Sequence, residues 1–348
     1  MEIDATTGLV KGTFGLGTFQ FRERSFPGLV RSSGGVLDLS LHFQNTHQVF
    51  ADWGAHFERL VDIDANADGT GIPYTEVRPL PPLEHPNILG SVSNYKVHVT
   101  EVLTFLPRYQ KNRLPNESDE SFKKRNAEWV EYRAQHGMPA FFGAHYSALI
   151  GANDDIVIPV IGKNHDWELE VTLVIGRHQR CASLEEAMTM IAGYTISNDL
   201  CTLDQSARPD LPWGSDLFTK NQATFKPCGP FIVPSQFVRF EDIRIKLEVN
   251  GEVKQNSSVA DMIFSPAQLV AYASERTNLL PGTQIMTGSP PGNSILHGTH
   301  LHEGDVVTCE ATGLGRHRNR CVPEVLNSDR KPVFGTFDAS RFNPPFRP

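Results

Sequence analysis

DWELEVTLVIG, running from Asp166 to Gly176, alternates polar and apolar side chains in the manner of a strand. Extended, it puts Glu168, Glu170 and Thr172 on one face and Leu169, Val171, Leu173 and Ile175 on the other, where they can be buried. Neighbouring acids on a strand repel one another and are costly to desolvate, and a divalent cation relieves both problems. Taken alone, E-x-E more often marks the wetted face of an amphipathic strand, and it is the company the motif keeps along the chain that favours a metal site. A third acid comes from GYTISNDL, Gly193 to Leu200. A capping box of Ser183 and Glu186 opens a helix, with Leu184, Ala187, Met188 and Ile191 at i, i+3, i+4 and i+7 and Gly193 as its C′ residue. That helix turns the chain back, so that Tyr194–Leu200 forms a strand ending at Asp199 beside the two glutamates. Three carboxylates without Cys or His suit a hard ion: Mg²⁺ or Mn²⁺, with Ca²⁺ as a substitute.

Composition sets the outer limits. The 348 residues suffice for one large domain and a small one, and 39% hydrophobic with 21% charged residues is the balance of a globular protein. No run approaches the ~18 apolar residues of a membrane span. The opening MEIDATTGLVKG has neither the basic start nor the apolar core of a signal peptide, so the expectation is a cytoplasmic protein with no membrane partner. A net charge of -8 argues against nucleic-acid binding. Five scattered cysteines (Cys181, Cys201, Cys228, Cys309, Cys321) without C-x-x-C spacing read as reduced thiols.

Residues 1–80 read as a small N-terminal domain and 81–348 as a second, larger one. Within the first, Trp53, Phe57, Leu60 and Val61 fall at helical spacing under an Asp52 cap, and the proline-rich Val77 to Asn87 reads as a linker. If the latter half of ILGSVSNYKVHVTEV is helical, His98 and Glu101 lie one turn apart on one face. A charged insertion, 107–139, predicts a helix near Glu120 to Gln135 that is either solvated or a lid. Ile243, Ile245, Leu247 and Val249 alternate into Asn250-Gly251, the dipeptide of a type I′ hairpin turn. Ser265 as cap, Pro266 at N1 and Gln268 at N3 open another helix. Short strands, few helices and 28 glycines predict a mixed α/β, β-rich fold.

With these residues in place, the chain resembles the fumarylacetoacetate hydrolase superfamily, in particular its acylpyruvate hydrolase-like members. NYKVHVTE, ELEVTLVIG, GYTISND, FTKNQATFKPCGPFIV, VNGEVKQ, LLPGTQIMTGSPPG and EGDVVTCEATGLG follow one another in the family's order between Ile88 and Cys321. The resemblance implies a β-sandwich or flattened-barrel core behind a small N-terminal domain, and a homodimer. It also implies Mg²⁺ or Mn²⁺ held by Glu168, Glu170 and Asp199, and a small 2-oxo or β-diketo acid as substrate. The expected activity is hydrolysis of a C–C bond in aromatic catabolism; the alternative is a decarboxylase, hydratase or isomerase on the same metal. A divalent ion chelated by a 2-oxo acid stabilises the enolate formed in any of these reactions. His98, oriented by Glu101, is the expected base that activates water, since proton abstraction favours a group titrating near neutrality. Lys220 holds the slot of the family's active-site lysine and is expected to stabilise an oxyanion. Tyr95, Leu203, Gln205 and the turn Thr287, Gly288, Ser289 are expected to contact substrate.

Departures from the family pattern bear on specificity. The usual substrate arginine is replaced by Leu203 and the glutamine slot by Ser206, with Gln205 and Arg208 nearby but out of register. Ala223 and Ala144 replace a common acid and a common lysine. Losing two cations predicts a substrate whose distal end is less anionic. HGTHLH (His297, His300, His302) lacks an acid or cysteine to complete a transition-metal set and reads as a polar loop, and GRHRNRC, Gly315 to Cys321, reads as a solvated loop.

Overall fold

The structure, a computed structural model, describes residues 2–67, 69–211, 214–327 and 330–342. A large open sheet runs in the order Ile72–Pro73, Gly35–Asp38, Arg24–Arg31, Phe14–Phe21, Lys226–Pro234, Ile191–Asn198, Leu169–Ile175, Gln284–Met286, Ile88–Ser91, Phe141–Ala144. A second, five-stranded sheet runs Glu252–Ser258, Arg244–Val249, Val306–Ala311, Gly315–Pro323, Ile156–Ile158. Neither closes on itself, so the fold is mixed α/β and strand-rich with layered sheets rather than a barrel. Leu169, Val171 and Leu173 of the large sheet share one core with Ile245, Leu247, Val307 and Cys309 of the smaller.

Local rules explain much of this. Ile245, Leu247 and Val249 alternate inward along Arg244–Val249, and Asn250 and Gly251, at φ 54 and 81°, make the type I′ turn into Glu252–Ser258. Both capping boxes form, at Ser183–Glu186 and Ser265–Gln268. The Asp52-capped helix spans Trp53–Asn66 and buries Trp53 and Leu60, whereas Val61 faces solvent. All five cysteines are free thiols.

Tertiary packing alters other expectations. The strand Leu169–Ile175 is buried on both faces, because it lies between Ile191–Asn198 and Gln284–Met286 and under the second sheet. Helix Leu184–Thr189 is shorter than its spacing predicts: it buries Ala187 but leaves Leu184 and Met188 exposed. Gly193 is not its C′ residue. It lies inside Ile191–Asn198, where a Cβ would sit 2.4 Å from the Val233 carbonyl oxygen, so glycine permits close strand approach. Gly315 to Cys321 is a strand rather than a solvated loop, with His317, Asn319 and Cys321 buried and Arg316, Arg318 and Arg320 turned outward. Val77 to Asn87 is no free linker: Arg78–Pro79 pairs with Phe14–Phe21, Leu83 is buried, and the Pro82 carbonyl accepts a hydrogen bond from Thr18. The first eighty residues extend the large sheet through the pairing of Leu16 with Ile232.

Candidate active site

Glu170 enters the site because its strand is pinned on both sides. Its carboxylate Oε2 accepts the Gly288 backbone N–H at 2.6 Å. Thr287, the preceding residue, is tied to the same strand through its N–H and hydroxyl, both donated to the Val171 carbonyl. Gly288 has φ +98°, and a Cβ there would lie 2.8 Å from that of Asn94, so glycine is required at this turn. Glu168 stands one residue before the strand, its N–H donated to Asn198 Oδ1. Asp199 follows the end of the neighbouring strand and donates its own N–H to the Glu168 carbonyl. The two strand ends therefore deliver three acids to one point: one carboxylate oxygen from each lies within 4.8 Å of the others. Among the described residues no other set of three His, Cys, Asp or Glu side chains converges this way. His297 and His300 instead bond separately, to the Lys254 carbonyl and the Ser294 hydroxyl.

Two lysines answer this charge. Lys220 Nζ lies 2.7 Å from both Glu168 Oε2 and Asp199 Oδ2, and Lys226 Nζ lies 2.7 Å from Asp199 Oδ1. Burial raises the Glu168 carboxyl to about 7 despite the Lys220 charge, and raises that of Glu170 well above its ordinary range, with Asp199 and Glu168 adding to the effect. For Asp199 burial acts in the same sense, but the Lys220 and Lys226 ammoniums outweigh it and hold the carboxyl low. Buried acids that are hard to ionise together fit a divalent cation. The Lys220 ammonium, bridging two of them, occupies the place of such a charge.

His98 and Glu101 share the helix Lys96–Phe105. His98 lines a cavity of about 160 Å³ with Glu168, Asp199 and Lys220. Burial, then the Lys220 charge, lowers its imidazole to about 4, so it is neutral at neutral pH. Burial raises the Glu101 carboxyl to about 7. No hydrogen bond joins the two side chains. Glu101 takes the Gly292 backbone N–H, and His98 Nδ1 and Glu101 Oε2 are buried with no protein partner.

The other expected contacts divide. Leu203 and Ser289 line the cavity. Tyr95 is fully buried behind it, its phenol pushed up by burial and by the Glu170 and Asp261 charges. Thr287 and Gly288 act on the strand and on Glu170 as described, without lining the cavity. Gln205 is turned away: its Oε1 accepts the Phe337 N–H at 2.6 Å and its amide reaches Asp204. Arg208 is paired with Asp210 and Asp216. Ala144 ends its strand at a different cavity, whereas Phe142 of that strand faces the site, with Lys220 Nζ 5.6 Å from its ring centre.

Sequence reasoning missed Asp166 and Lys226. Asp166 lines the cavity, is 2% exposed and accepts the N–H groups of Trp167 and Ser294. Its position at the head of the acidic strand was the available hint. For Lys226 the sequence offers none, since a lysine opening a strand ordinarily marks a wet edge.

A buried knot of acids, lysines and a neutral histidine around one small cavity is the equipment of an enzyme. The chain belongs to the fumarylacetoacetate hydrolase family: the family model "Fumarylacetoacetate (FAA) hydrolase C-terminal" matches residues 87–322. It is 29% identical over 299 residues to the mitochondrial oxaloacetate tautomerase FAHD2A of Bos taurus, across 84% of this chain and 85% of that protein. Its fold is similar to that of the fumarylacetoacetate hydrolase of psychrophilic Exiguobacterium antarcticum, at a TM-score of 0.70 and 23% identity over 90% of this chain and 100% of that one. It is also similar to maleylpyruvate hydrolase from Sphingobium sp. SYK-6, solved with manganese (II) ion and pyruvate, at a TM-score of 0.68 and 20% identity over 89% of this chain and 100% of that one. Hydrolases and a tautomerase thus both stand among the relatives. No helix among the described residues is long and apolar enough to cross a membrane.

Proposed function

We propose that this protein is a divalent-metal-dependent hydrolase that cleaves a C–C bond in an acylpyruvate-type β-diketo acid. The observation that carries this reading is the Lys220 ammonium lying 2.7 Å from both Glu168 and Asp199, in a cavity that His98 also lines. Glu168, Glu170 and Asp199 would hold Mg²⁺ or Mn²⁺, which supplies Lewis-acid stabilisation of enolate charge on a 2-oxo acid. His98, neutral at working pH, takes a proton from water, and the resulting hydroxide attacks the carbonyl distal to the 2-oxo group. The C3–C4 bond then breaks, its electron pair leaving as the 2-oxo acid's enolate, and the proton held by His98 returns to C3 as the free acid departs. Lys220 offers N–H donors to oxygen atoms on which negative charge develops. Glu101, titrating near 7 one turn along the same helix, would as a carboxylate favour the positive charge that His98 gains in that transfer. Apolar side chains from Val102, Phe142 and Leu203 keep bulk water from the enolate. The homodimer, a cytoplasmic location and a role in aromatic catabolism belong to the same reading.

A second reading, keto–enol isomerisation of a 2-oxo acid, is favoured by the name of the bovine relative. It would use the same lysine and acids without nucleophilic water. Incubation of an acylpyruvate with the purified protein in D₂O, followed by NMR, separates the two. Pyruvate and a free acid, formed with Mn²⁺ and lost after EDTA treatment, support hydrolysis. Deuterium exchange at C3 without cleavage supports isomerisation, and no change with either metal overturns both.

A further inference from the structure

We propose that Lys226 is a positioning residue that loosens the acid triad's hold on a divalent cation while tethering the turn that carries Lys220; this rests on the metal reading above. Lys226 is 0% exposed and opens the strand Lys226–Pro234. Its ammonium lies 2.7 Å from Asp199 Oδ1 and donates to two backbone carbonyls, those of Lys220 and, at 3.3 Å, Phe225. An ammonium has three N–H groups, and three acceptors surround this one. No donor is left for a substrate, and Lys226 does not line the cavity, so it acts only through its partners.

Those partners are the two that matter. The Lys220 carbonyl stands at the end of the turn Leu217–Lys220, so Lys226 tethers the backbone from which the Lys220 side chain reaches the acids. Each Asp199 carboxylate oxygen has an ammonium against it, Lys226 at Oδ1 and Lys220 at Oδ2, so a divalent ion approaching either oxygen meets a fixed positive charge. Burying an ammonium is costly unless it is paired, and a hydrophobic side chain at this position would avoid the cost. What the charge brings is repulsion of a second cation at short range in a poorly screened interior. Two of the three triad carboxylates, those of Glu168 and Asp199, already pair with fixed ammoniums, and the triad therefore binds a divalent ion less tightly than its acid count implies.

The test is Mn²⁺ titration of the metal-stripped full-length protein, read by the EPR signal of free Mn²⁺ and by calorimetry, on wild type, Lys226→Met and Lys226→Gln. Melting curves establish which variants are folded, and either folded variant suffices. The expected result is Mn²⁺ binding at least tenfold tighter in the neutral variants, with wild-type affinity recovered in Lys226→Arg. A residue that merely fills space predicts the opposite or nothing. Unchanged or weaker binding in a folded neutral variant, beside a wild type that binds, overturns this proposal and leaves the metal reading intact. Binding in none of the proteins overturns both, and binding in the neutral variants alone supports the proposal in its strongest form.

Discussion

Replacing Lys220 by methionine removes the ammonium from between Glu168 and Asp199 and leaves three buried carboxylates with Lys226 as their remaining counter-charge. Breaking one partner of a buried ion pair costs about 3–5 kcal/mol, because the other charge stays buried. At about 2.1 cal/mol/K per residue, a chain of 348 residues melts with an entropy near 0.7 kcal/mol/K. A loss of ~4 kcal/mol therefore lowers the melting temperature of the metal-free protein by roughly 5–6 °C. Mn²⁺ should restore part of it, since free metal at about 100 times its Kd stabilises by ~2.7 kcal/mol. The recovery should exceed the gain in wild type, where the cation must compete with the ammonium already in place. Differential scanning calorimetry of both proteins, with EDTA and with Mn²⁺, measures all four quantities. A metal-free variant that melts within 1 °C of wild type, or a Mn²⁺ gain no larger than that of wild type, refutes the view that Lys220 occupies the cation's place.

Three further outcomes are expected. Exchanging His98 for alanine should lower kcat for acylpyruvate hydrolysis by ~10²-fold or more while leaving Mn²⁺ affinity unchanged, as steady-state kinetics and calorimetry would show. The pH profile of kcat/KM should fall as pH drops through about 7, where Glu101 gains its proton, and Glu101→Gln should remove that limb and expose the one near 4 from His98. The sign follows because both groups act in their deprotonated forms; a limb that stays near 7 in the variant would exclude Glu101 as its source. Leu203→Arg should shift preference from an aryl acylpyruvate toward a dicarboxylic one by about tenfold, through a new cation at the apolar wall, and competition between the two substrates would detect it; a wild type that already prefers the dicarboxylate would defeat the reasoning.

Short-range chemistry carried much of the architecture. Asn250-Gly251 dictated its hairpin, Ser183 and Ser265 their helix starts, and the acid-bearing strand was legible from alternation alone. What alternation could not convey was that the polar face of Leu169–Ile175 is as buried as the apolar one, since that depends on strands arriving from residues 191–198 and 284–286. Gly193 looked like a helix stop because a glycine after a helical stretch usually is one; its reason lies across the sheet, at the Val233 carbonyl. Lys226 went unread, and Gln205 lies turned away from the cavity, for a common cause. Each is defined by a partner distant in sequence or by main-chain acceptors, and side-chain identity at one position does not encode these.

The way the cleft is built has a consequence for how such enzymes diversify. The acids hang from strands locked on either side, whereas the apolar walls come from short helices and turns, among them Lys96–Phe105, Leu203–Ser206 and Leu217–Lys220. The three carboxylates and most of the apolar wall are thus held by different mechanical parts, whereas His98, Glu101 and Lys220 share their helix and turn with wall residues. Edits at wall positions such as Val102, Leu203 and Leu217 can retune which acid is admitted without re-siting the carboxylates, so one chemical step can serve many metabolites, and an engineer seeking a new substrate should change those side chains and leave the strands, His98, Glu101 and Lys220 alone.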